Sequence, residues 1–285
     1  MARYLDPKAD LTFKKVFGEH PNLVASLLNS LLPLPAGEEI ADIEYMSPER
    51  VPRTSIGKNS IVDVFCKTKD GRKFIVEMQM CWTADFKDRA LFNSAKVYVD
   101  QLEHAEDFSL LRPVYSLNLV DAVFEKDVPE FIHHYQVVHE KYTDKLIEGF
   151  HIVFVELPKF KPQSIAERKM AVLWLRFLTE INKTTEQVPK EFLESSEIRQ
   201  AVKLVEESAY TREQLMGYDL FWDAVRVAKT LASAPERSYK AGLKEGEAKG
   251  KEKLLQAAHN LKAMNLAVEQ IAKATGLTVE EVVSS

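Results

Sequence analysis

Two short apolar runs near the middle of the chain predict the strands of a β-hairpin. They read IVDVFCK at residues 61–67 and KFIVEMQM at residues 73–80, and the residues TKDGR join them. β-Branched and aromatic residues dominate both runs, which is typical of strands, and Asp-Gly is a strong signal for a hairpin turn. Because both faces of each run are largely apolar, we expect the hairpin to be covered on both sides.

Helical and strand patterns alternate around this hairpin. The spacing of apolar residues predicts helices at 11–18, 20–32 and 84–102, and strands at 40–46, 113–120 and 151–157. The strand at 151–157 is a candidate for the sheet edge, with 135–139 pairing nearby. The third helix is polar, and we expect one stripe of it to contain Leu91, Ala95, Tyr98 and Leu102. This order predicts an α/β fold with a mixed β-sheet core flanked by helices.

Beyond residue 164 the pattern is helical. Periodic segments cover 165–182, 190–208 and 212–229, and Pro235 predicts a break at 232–236. We therefore divide the chain into a core at 1–160, a helical region at 161–236 that packs on or extends the core, and a C-terminal helical arm at 237–285. The arm contains a charged helix with Gly242, Gly246 and Gly250, followed by a tail that resembles part of a helix-turn-helix. A stripe of glycines favours close helix–helix contact, so the arm is a candidate for homo-oligomer formation.

Composition narrows the class of protein. The 285 residues are enough for a packed core, and the two cysteines fit no disulfide framework or metal motif. No apolar run is long enough to span a membrane, and the N-terminal segment lacks the apolar stretch of a signal peptide. These features predict a cytoplasmic protein. The net charge of −5 does not indicate nucleic-acid binding, although a local basic surface remains compatible with it.

Asp63 and Glu77 are carboxylates within these apolar runs, where burial of charge is costly. A two-residue turn would pair Asp63 with Met78 and direct Glu77 to the opposite face. A three-residue loop, Lys69-Asp70-Gly71, pairs Asp63 with Glu77 directly. Opposed like charges destabilise a sheet unless they are neutralised, so we favour the three-residue loop with a bridging divalent cation, Mg²⁺ or Mn²⁺. The alternative is an exposed pair of carboxylates that form ion pairs with Lys67, Arg72 or Lys73.

A divalent cation at this hairpin would suit phosphodiester cleavage, because it activates water and stabilises charge on phosphate oxygens. Asp63 and Glu77 are the candidate ligands, and the carbonyl of Met78 is a third. Gln79 shares the face of Glu77, since side chains alternate along a strand. As a neutral amide, Gln79 can orient a water molecule or a phosphate oxygen, but it can act neither as a base nor as a cation.

The chain resembles the PD-(D/E)XK nuclease superfamily, and more closely its Rpn branch of recombination-promoting nucleases and transposases. The likeness spans nearly the whole chain, and the ordered set of motifs is more specific than any one of them. The matching segments are DLTFKKVFG at 10–18, GKNSIVDV at 57–64, Asp70-Gly71, VEMQ at 76–79, Arg89, Tyr98, Gln101, PVY at 113–115 and VELPKF at 155–160.

This resemblance implies a restriction-endonuclease-like fold, with a four-stranded mixed sheet flanked by helices, and Mg²⁺-dependent cutting of DNA. Asp63 and Glu77 take the places of the two motif acids, whereas Gln79 stands where the superfamily pattern has lysine. The resemblance makes Lys96 on the following helix, and less directly Lys15, candidates to compensate for that lysine. Asp10 and Glu19 are candidates for an extra acid on the first helix.

Three functions follow as hypotheses. The first is a Mg²⁺-dependent DNA endonuclease linked to recombination or transposition, with Asp63, Glu77 and Gln79 as catalytic residues. The second is a catalytically degenerate module of the same fold that binds DNA or a protein partner. The third is an assembly protein that acts through the glycine-containing helix.

Overall fold

The computed structural model describes residues 3–50, 60–102, 106–162, 169–263, 267–268, 272 and 275–284. The GKN part of the 57–64 motif therefore lies outside the described residues. Two compact units divide the chain, Met1–Ala228 and Lys229–Ser285. The first unit contains the sheet and all the candidate site residues of the hairpin.

A mixed β-sheet forms the centre of the first unit, as predicted, and it has six strands rather than the four that the resemblance implies. Its strand order is β1-β4-β5-β6-β8-β7. Strands β5, β6 and β8 run parallel, whereas β1 with β4, β4 with β5, and β7 with β8 are antiparallel pairs. The strands are β1 (Glu44–Tyr45), β4 (Val64–Lys67), β5 (Lys73–Gln79), β6 (Val114–Val120), β7 (Ile132–Val138) and β8 (Leu146–Glu156), with a separate two-stranded ladder of β2 (Glu49–Arg50) and β3 (Ser60–Ile61).

Helices lie along the chain much as the periodicity predicts. A short helix continues into a π-helical turn, Lys14–Gly18, and Pro21 begins the next helix at a position where its missing N–H is not needed. The described α-helices are α1 (Asp10–Phe13), α2 (Pro21–Leu31), α3 (Phe86–Val99), α4 (Lys169–Glu180), α5 (Lys190–Glu194), α6 (Ser196–Leu204), α7 (Arg212–Ala263) and α8 (Val279–Ser284).

The two faces of the sheet are covered by different helices. On one face, Val76 of β5 belongs to a large apolar cluster with side chains of α2, α4 and α6. On the other face, Ile75 of β5 packs with Val97 of α3. Helix α3 links the parallel strands β5 and β6, so it runs back over the sheet above the candidate site.

The hairpin has the predicted register. Val64 pairs with Val76 and Lys67 with Lys73, so the same register places Asp63 opposite Glu77. The three-residue loop Lys69-Asp70-Gly71 closes it, with the Thr68 N–H donating to the Arg72 carbonyl at 3.1 Å. Gly71 has φ +90°, a conformation that favours glycine.

Three predictions about the elements were wrong. Strand β8 is not at the sheet edge, because β7 pairs along its outer side. The predicted break at 232–236 is absent, since α7 continues from Arg212 to Ala263 through Pro235. One proline removes a single backbone hydrogen bond, and the helix-forming residues on both sides outweigh that loss.

The third error concerns α3, whose buried stripe differs from the predicted one. Leu91 is 50% exposed, and the buried residues are Phe86, Ala90, Asn93, Ser94 and Val97. Tertiary packing selects this stripe because the sheet beneath α3 carries polar groups that Asn93 satisfies better than a leucine would.

The second unit contains the end of α7 and the helix α8. Ala258, Leu277 and Val282 form its small apolar cluster. Thr278 and Glu281 form the capping box at the start of α8, with the Thr278 N–H donating to Glu281 Oε2 at 3.0 Å. Among the described helices of the chain, none combines the length and the hydropathy that a membrane span requires.

Candidate metal and nuclease site

The register of the hairpin brings Asp63 and Glu77 to the same face of the sheet. Asp63 lies directly before β4, and Glu77 is the fifth residue of β5. Helix α3 covers this face, and its residues Arg89 and Asn93, one turn apart, both reach β5 side chains. The candidate site is therefore built from three consecutive elements of the chain.

Glu77 is held within a polar, largely buried environment. It is 7% exposed, and its Oε1 accepts a hydrogen bond from Asn93 Nδ2 at 2.9 Å. Its Oε2 lies 4.0 Å from Arg89 Nη2. Burial is the main cause that raises the pKa of Glu77, and the charge of Asp63 raises it further, while the Asn93 N–H and Arg89 oppose this. Glu77 is thus a carboxylate for which a nearby cation would be favourable.

Asp63 is anchored to the backbone of the neighbouring strand. Its Oδ2 accepts a hydrogen bond from the Met78 N–H at 2.7 Å, which takes the place of a ladder bond where β4 begins. Burial raises the pKa of Asp63, the Met78 hydrogen bond lowers it, and Asp10, Lys14 and Arg89 act on it through charge. This bond fixes the orientation of the carboxylate and leaves its Oδ1 for another ligand.

The backbone carbonyl of Met78 is directed toward the same side as Asp63. In an antiparallel pair the N–H and C=O of one residue point to the same neighbouring strand. Since the Met78 N–H reaches Asp63, the Met78 carbonyl points to the β4 side of β5 as well. The role of this carbonyl as a third oxygen ligand stays a prediction.

Gln79 is the last residue of β5, and both ends of its amide are engaged. Its Oε1 accepts from Arg89 Nη2 at 2.8 Å, and its Nε2 donates to the Cys81 carbonyl at 2.7 Å. An amide can form up to four hydrogen bonds, so each end retains capacity for a further partner. Gln79 is thus oriented by the protein while still able to contact water or phosphate.

This donor set fits a hard divalent cation. Two carboxylates and a strand carbonyl are oxygen ligands, and Mg²⁺ is commonly held by one or two carboxylates together with water and substrate phosphate. Among the described residues, no group of three or more His, Cys, Asp or Glu side chains is arranged to hold a metal. The fit therefore rests on two side-chain ligands, supported by the buried Asn93 Oδ1, which has no hydrogen-bond partner in the described part of the chain.

The other sequence-predicted residues separate into two groups. Asp10 lies near enough to Asp63 to raise its pKa, and it forms a 2.7 Å ion pair with Lys14. Glu19 instead acts through charge on Tyr45 and Tyr210. The charge of Asp10 thus acts on one of the paired carboxylates, whereas the charge of Glu19 acts on the two tyrosines.

The two lysines proposed to compensate for Gln79 also differ in position. The ammonium of Lys15 donates to the Ala209 carbonyl at 3.0 Å and lies over the ring of Tyr210, so Lys15 is turned away from the hairpin. Lys96 lies on α3, about two turns after Arg89. The cation that contacts Gln79 is Arg89.

Sequence reasoning missed the roles of Arg89, Asn93 and Lys14. A signal for Asn93 was present, because Phe86, Ala90, Asn93 and Val97 follow helical spacing and Asn93 is the one polar residue among them. A polar residue within an otherwise apolar helical stripe indicates a buried hydrogen-bond partner. Arg89, four residues before Asn93, then belongs to the same side of the helix.

Comparison with known families identifies the chain. The model of a family described as PD-(D/E)XK nuclease family transposase matches residues 7–224. No curated protein and no solved structure shows significant similarity to the chain. Because the family match covers most of the chain, the protein belongs to the PD-(D/E)XK nuclease family of transposases, with an α/β, restriction-endonuclease-like fold.

Proposed function

We propose that this member of the PD-(D/E)XK nuclease family is a divalent-metal-dependent DNA endonuclease that acts in recombination or transposition. The family supplies the nuclease class, and nucleases of this kind generally use divalent metal ions. The observation that carries the proposal is the shared face of Asp63 and Glu77, each with one oxygen oriented by a protein N–H. We further propose a cytoplasmic location, where DNA is accessible to the enzyme.

Each residue of the site has a defined part in this proposal. Asp63, Glu77 and the Met78 carbonyl would hold Mg²⁺ or Mn²⁺, with Asp10 close to the cluster. A divalent ion bound there would lower the pKa of water and stabilise negative charge on phosphate oxygens. Asn93 keeps the Glu77 carboxylate in place. Gln79 would orient a water molecule or a phosphate oxygen next to these ligands.

Substitution of Asp63 tests the proposal most directly. Asp63→Asn keeps the shape of the side chain but removes its charge, so we expect Mg²⁺-dependent nicking of plasmid DNA to fall to background. Asp42→Asn is the matched control, because Asp42 is an exposed aspartate that pairs with Lys69 outside the site. Thermal melting of each variant shows whether the fold is retained. Wild-type nicking by Asp63→Asn would overturn the assignment of the site.

A second candidate function is a DNA- or protein-binding module without catalysis. The substitution of Gln79 for the motif lysine favours it, because Gln79 carries no charge. Calorimetric titration with Mn²⁺ separates the two functions. Binding that is lost in Glu77→Ala supports the enzyme, whereas DNA binding by a wild-type protein that neither binds Mn²⁺ nor cuts DNA supports the module.

The glycine-containing helix remains a candidate for assembly. Gly242, Gly246 and Gly250 lie within α7, and a methyl group added at any of them would meet no heavy atom within 4 Å in the described chain. We propose that a second copy of the chain packs against this stripe. The full chain should then have the molar mass of an oligomer in solution, and deletion of residues 237–285 should reduce the particle to a single chain. An unchanged number of chains per particle after the deletion would refute the proposal.

A further inference from the structure

Arg89 is the residue of α3 that connects the two parts of the candidate site. Its Nη2 donates to Gln79 Oε1 at 2.8 Å and lies 4.0 Å from Glu77 Oε2. The guanidinium group also lies over the ring of Phe86, 4.7 Å from the ring centroid. These three contacts place a fixed positive charge beside the proposed metal ligands, on the side where the motif lysine is replaced by glutamine.

The guanidinium of Arg89 can still reach a ligand in solvent. The Arg89 side chain is 43% exposed, although the Glu77 side chain beside it is buried. The bond to Gln79 uses one of the five N–H donors of a guanidinium group. The planar fork of arginine matches phosphate oxygens, which it can bind through two parallel hydrogen bonds. Arg89 thus has the charge, the exposure and the donors for contact with a phosphodiester.

Gln79 is suited to hold such an arginine. Its Nε2 is directed to the Cys81 carbonyl, so its Oε1 is the end that faces Arg89. A lysine at position 79 would place a second cation against the guanidinium, and like charges in contact repel each other. The glutamine of this chain is therefore compatible with Arg89 in a way that the lysine of the superfamily pattern is not.

We propose that Arg89 binds the scissile phosphate in this site and that Gln79 is the positioning residue that holds Arg89 there. This inference rests on the proposed nuclease function and deepens it. In this role Arg89 stabilises negative charge on the phosphate and takes no part in proton transfer. Gln79 then acts through Arg89 as an acceptor of its hydrogen bond.

The first experiment measures DNA binding without cleavage. A short fluorescent duplex is titrated with wild type, Arg89→Gln and Arg89→Lys in EDTA at several salt concentrations. Arg89→Gln should weaken binding and reduce the slope of log affinity against log salt by about one, as expected for one lost phosphate contact. Arg89→Lys should keep the slope. Arg199→Gln is the matched control, since Arg199 is exposed on α6. An unchanged slope in Arg89→Gln would overturn the inference.

The second experiment measures Mg²⁺-dependent cleavage together with Mn²⁺ binding. Arg89→Gln should slow cleavage about 10²-fold or more, the loss seen when one donor to a developing charge is removed. Its Mn²⁺ affinity should be equal to that of wild type or higher, because a positive charge near Glu77 is removed. A Lys96→Gln variant with a larger loss of cleavage than Arg89→Gln would assign the phosphate contact to Lys96 instead.

A third variant tests whether Gln79 positions Arg89 or is only a degenerate form of the motif lysine. Gln79→Lys should cut DNA more slowly than wild type, because the introduced ammonium repels the Arg89 guanidinium and moves it away from the phosphate. Faster cleavage by Gln79→Lys with Arg89 intact would show that Gln79 is only a degenerate lysine. If wild type itself neither binds Mn²⁺ nor cuts, the proposed nuclease function fails, whereas the salt slope in EDTA still decides whether Arg89 contacts phosphate.

Discussion

The two faces of β5 differ sharply in what they bury. Phe74 and Val76 point into the large apolar cluster beneath α2 and α4, where Phe74 is 0% exposed and stacks on Tyr115. Glu77 and Gln79 point to the opposite face, beneath α3. One strand of seven residues therefore contributes to the largest apolar cluster with one side, and its other side carries the candidate site next to Ile75, which packs against α3.

The difference separates the large apolar cluster from the candidate site within a single strand. The apolar face gains free energy by removing hydrocarbon from water. The polar face carries Glu77, Asn93 and Asn118, all buried, and the amide oxygens of Asn93 and Asn118 have no partner within the described chain. Burial of polar groups with incomplete hydrogen bonding costs free energy. We infer that the apolar face offsets this cost and so permits a reactive arrangement on the other side.

The largest effect on stability is expected for a substitution on the apolar face of β5. Phe74→Ala removes a fully buried aromatic ring, and we expect a loss of about 3–5 kcal/mol in the free energy of unfolding. Urea denaturation measures it. Leu91→Ala is the control, because Leu91 is 50% exposed and its loss should be small. A loss below about 1 kcal/mol in Phe74→Ala would contradict the assignment of this face as the core.

The next largest effect on stability is expected for a substitution in the hairpin turn, which determines which residues of β4 and β5 share a face. Gly71 has φ +90°, and its added methyl group would make only an ordinary contact, 3.5 Å from Arg112 Cγ. Gly71→Ala should therefore destabilise the protein by about 1–2 kcal/mol through backbone strain alone. Gly18→Ala, at a position without positive φ, should be neutral or nearly so. Equal melting temperatures for wild type and Gly71→Ala would argue against the three-residue loop.

A smaller effect of opposite sign is expected on the polar face. Glu77→Gln keeps an oxygen for Asn93 but removes a buried charge, so metal-free protein should gain about 1 kcal/mol at pH 8. The pKa of Glu77 is raised in the folded state, so the charged carboxylate lowers the free energy of unfolding of wild type. This loss is complete at pH values above the raised pKa. The gain in stability should disappear as the pH falls below the ordinary pKa of glutamate, because Glu77 is then protonated in both the folded and the unfolded protein. A destabilised Glu77→Gln at pH 8 would indicate that the charge is already compensated.

The smallest expected effect is a difference in thiol reactivity between the two cysteines, and it is measured without any substitution. Cys66 is 0% exposed on the apolar face, and burial raises the pKa of its thiol to about 12. Cys81 is half-buried beyond the end of β5. A thiol reagent applied to native protein between pH 7 and 9 should therefore label Cys81 and spare Cys66, because the thiolate is the reactive form. Peptide mass mapping identifies the labelled residue, and rapid labelling of Cys66 would contradict its burial.

Much of the fold could be predicted from local patterns, and two of the three errors share a cause. The hairpin register followed from Asp-Gly and from the opposed charges of Asp63 and Glu77. The buried stripe of α3 and the inner position of β8 could not be predicted from local patterns. Both depend on which other element packs against α3 or pairs with β8. Periodicity predicts which side of a helix is apolar, but it does not predict whether the sheet surface on which the helix packs is apolar.

The amino-acid sequence by itself determined the mixed α/β pattern, the register of the β4–β5 hairpin and the candidate ligands Asp63 and Glu77, because each depends on neighbours within about twenty residues. Only the tertiary structure decided that α3 lies over Glu77, with Asn93 on one oxygen and Arg89 between Glu77 and Gln79. A helix can place any of its sides on a sheet, and the choice depends on the packing of the whole unit. The position of the positive charge in this site is a consequence of that choice.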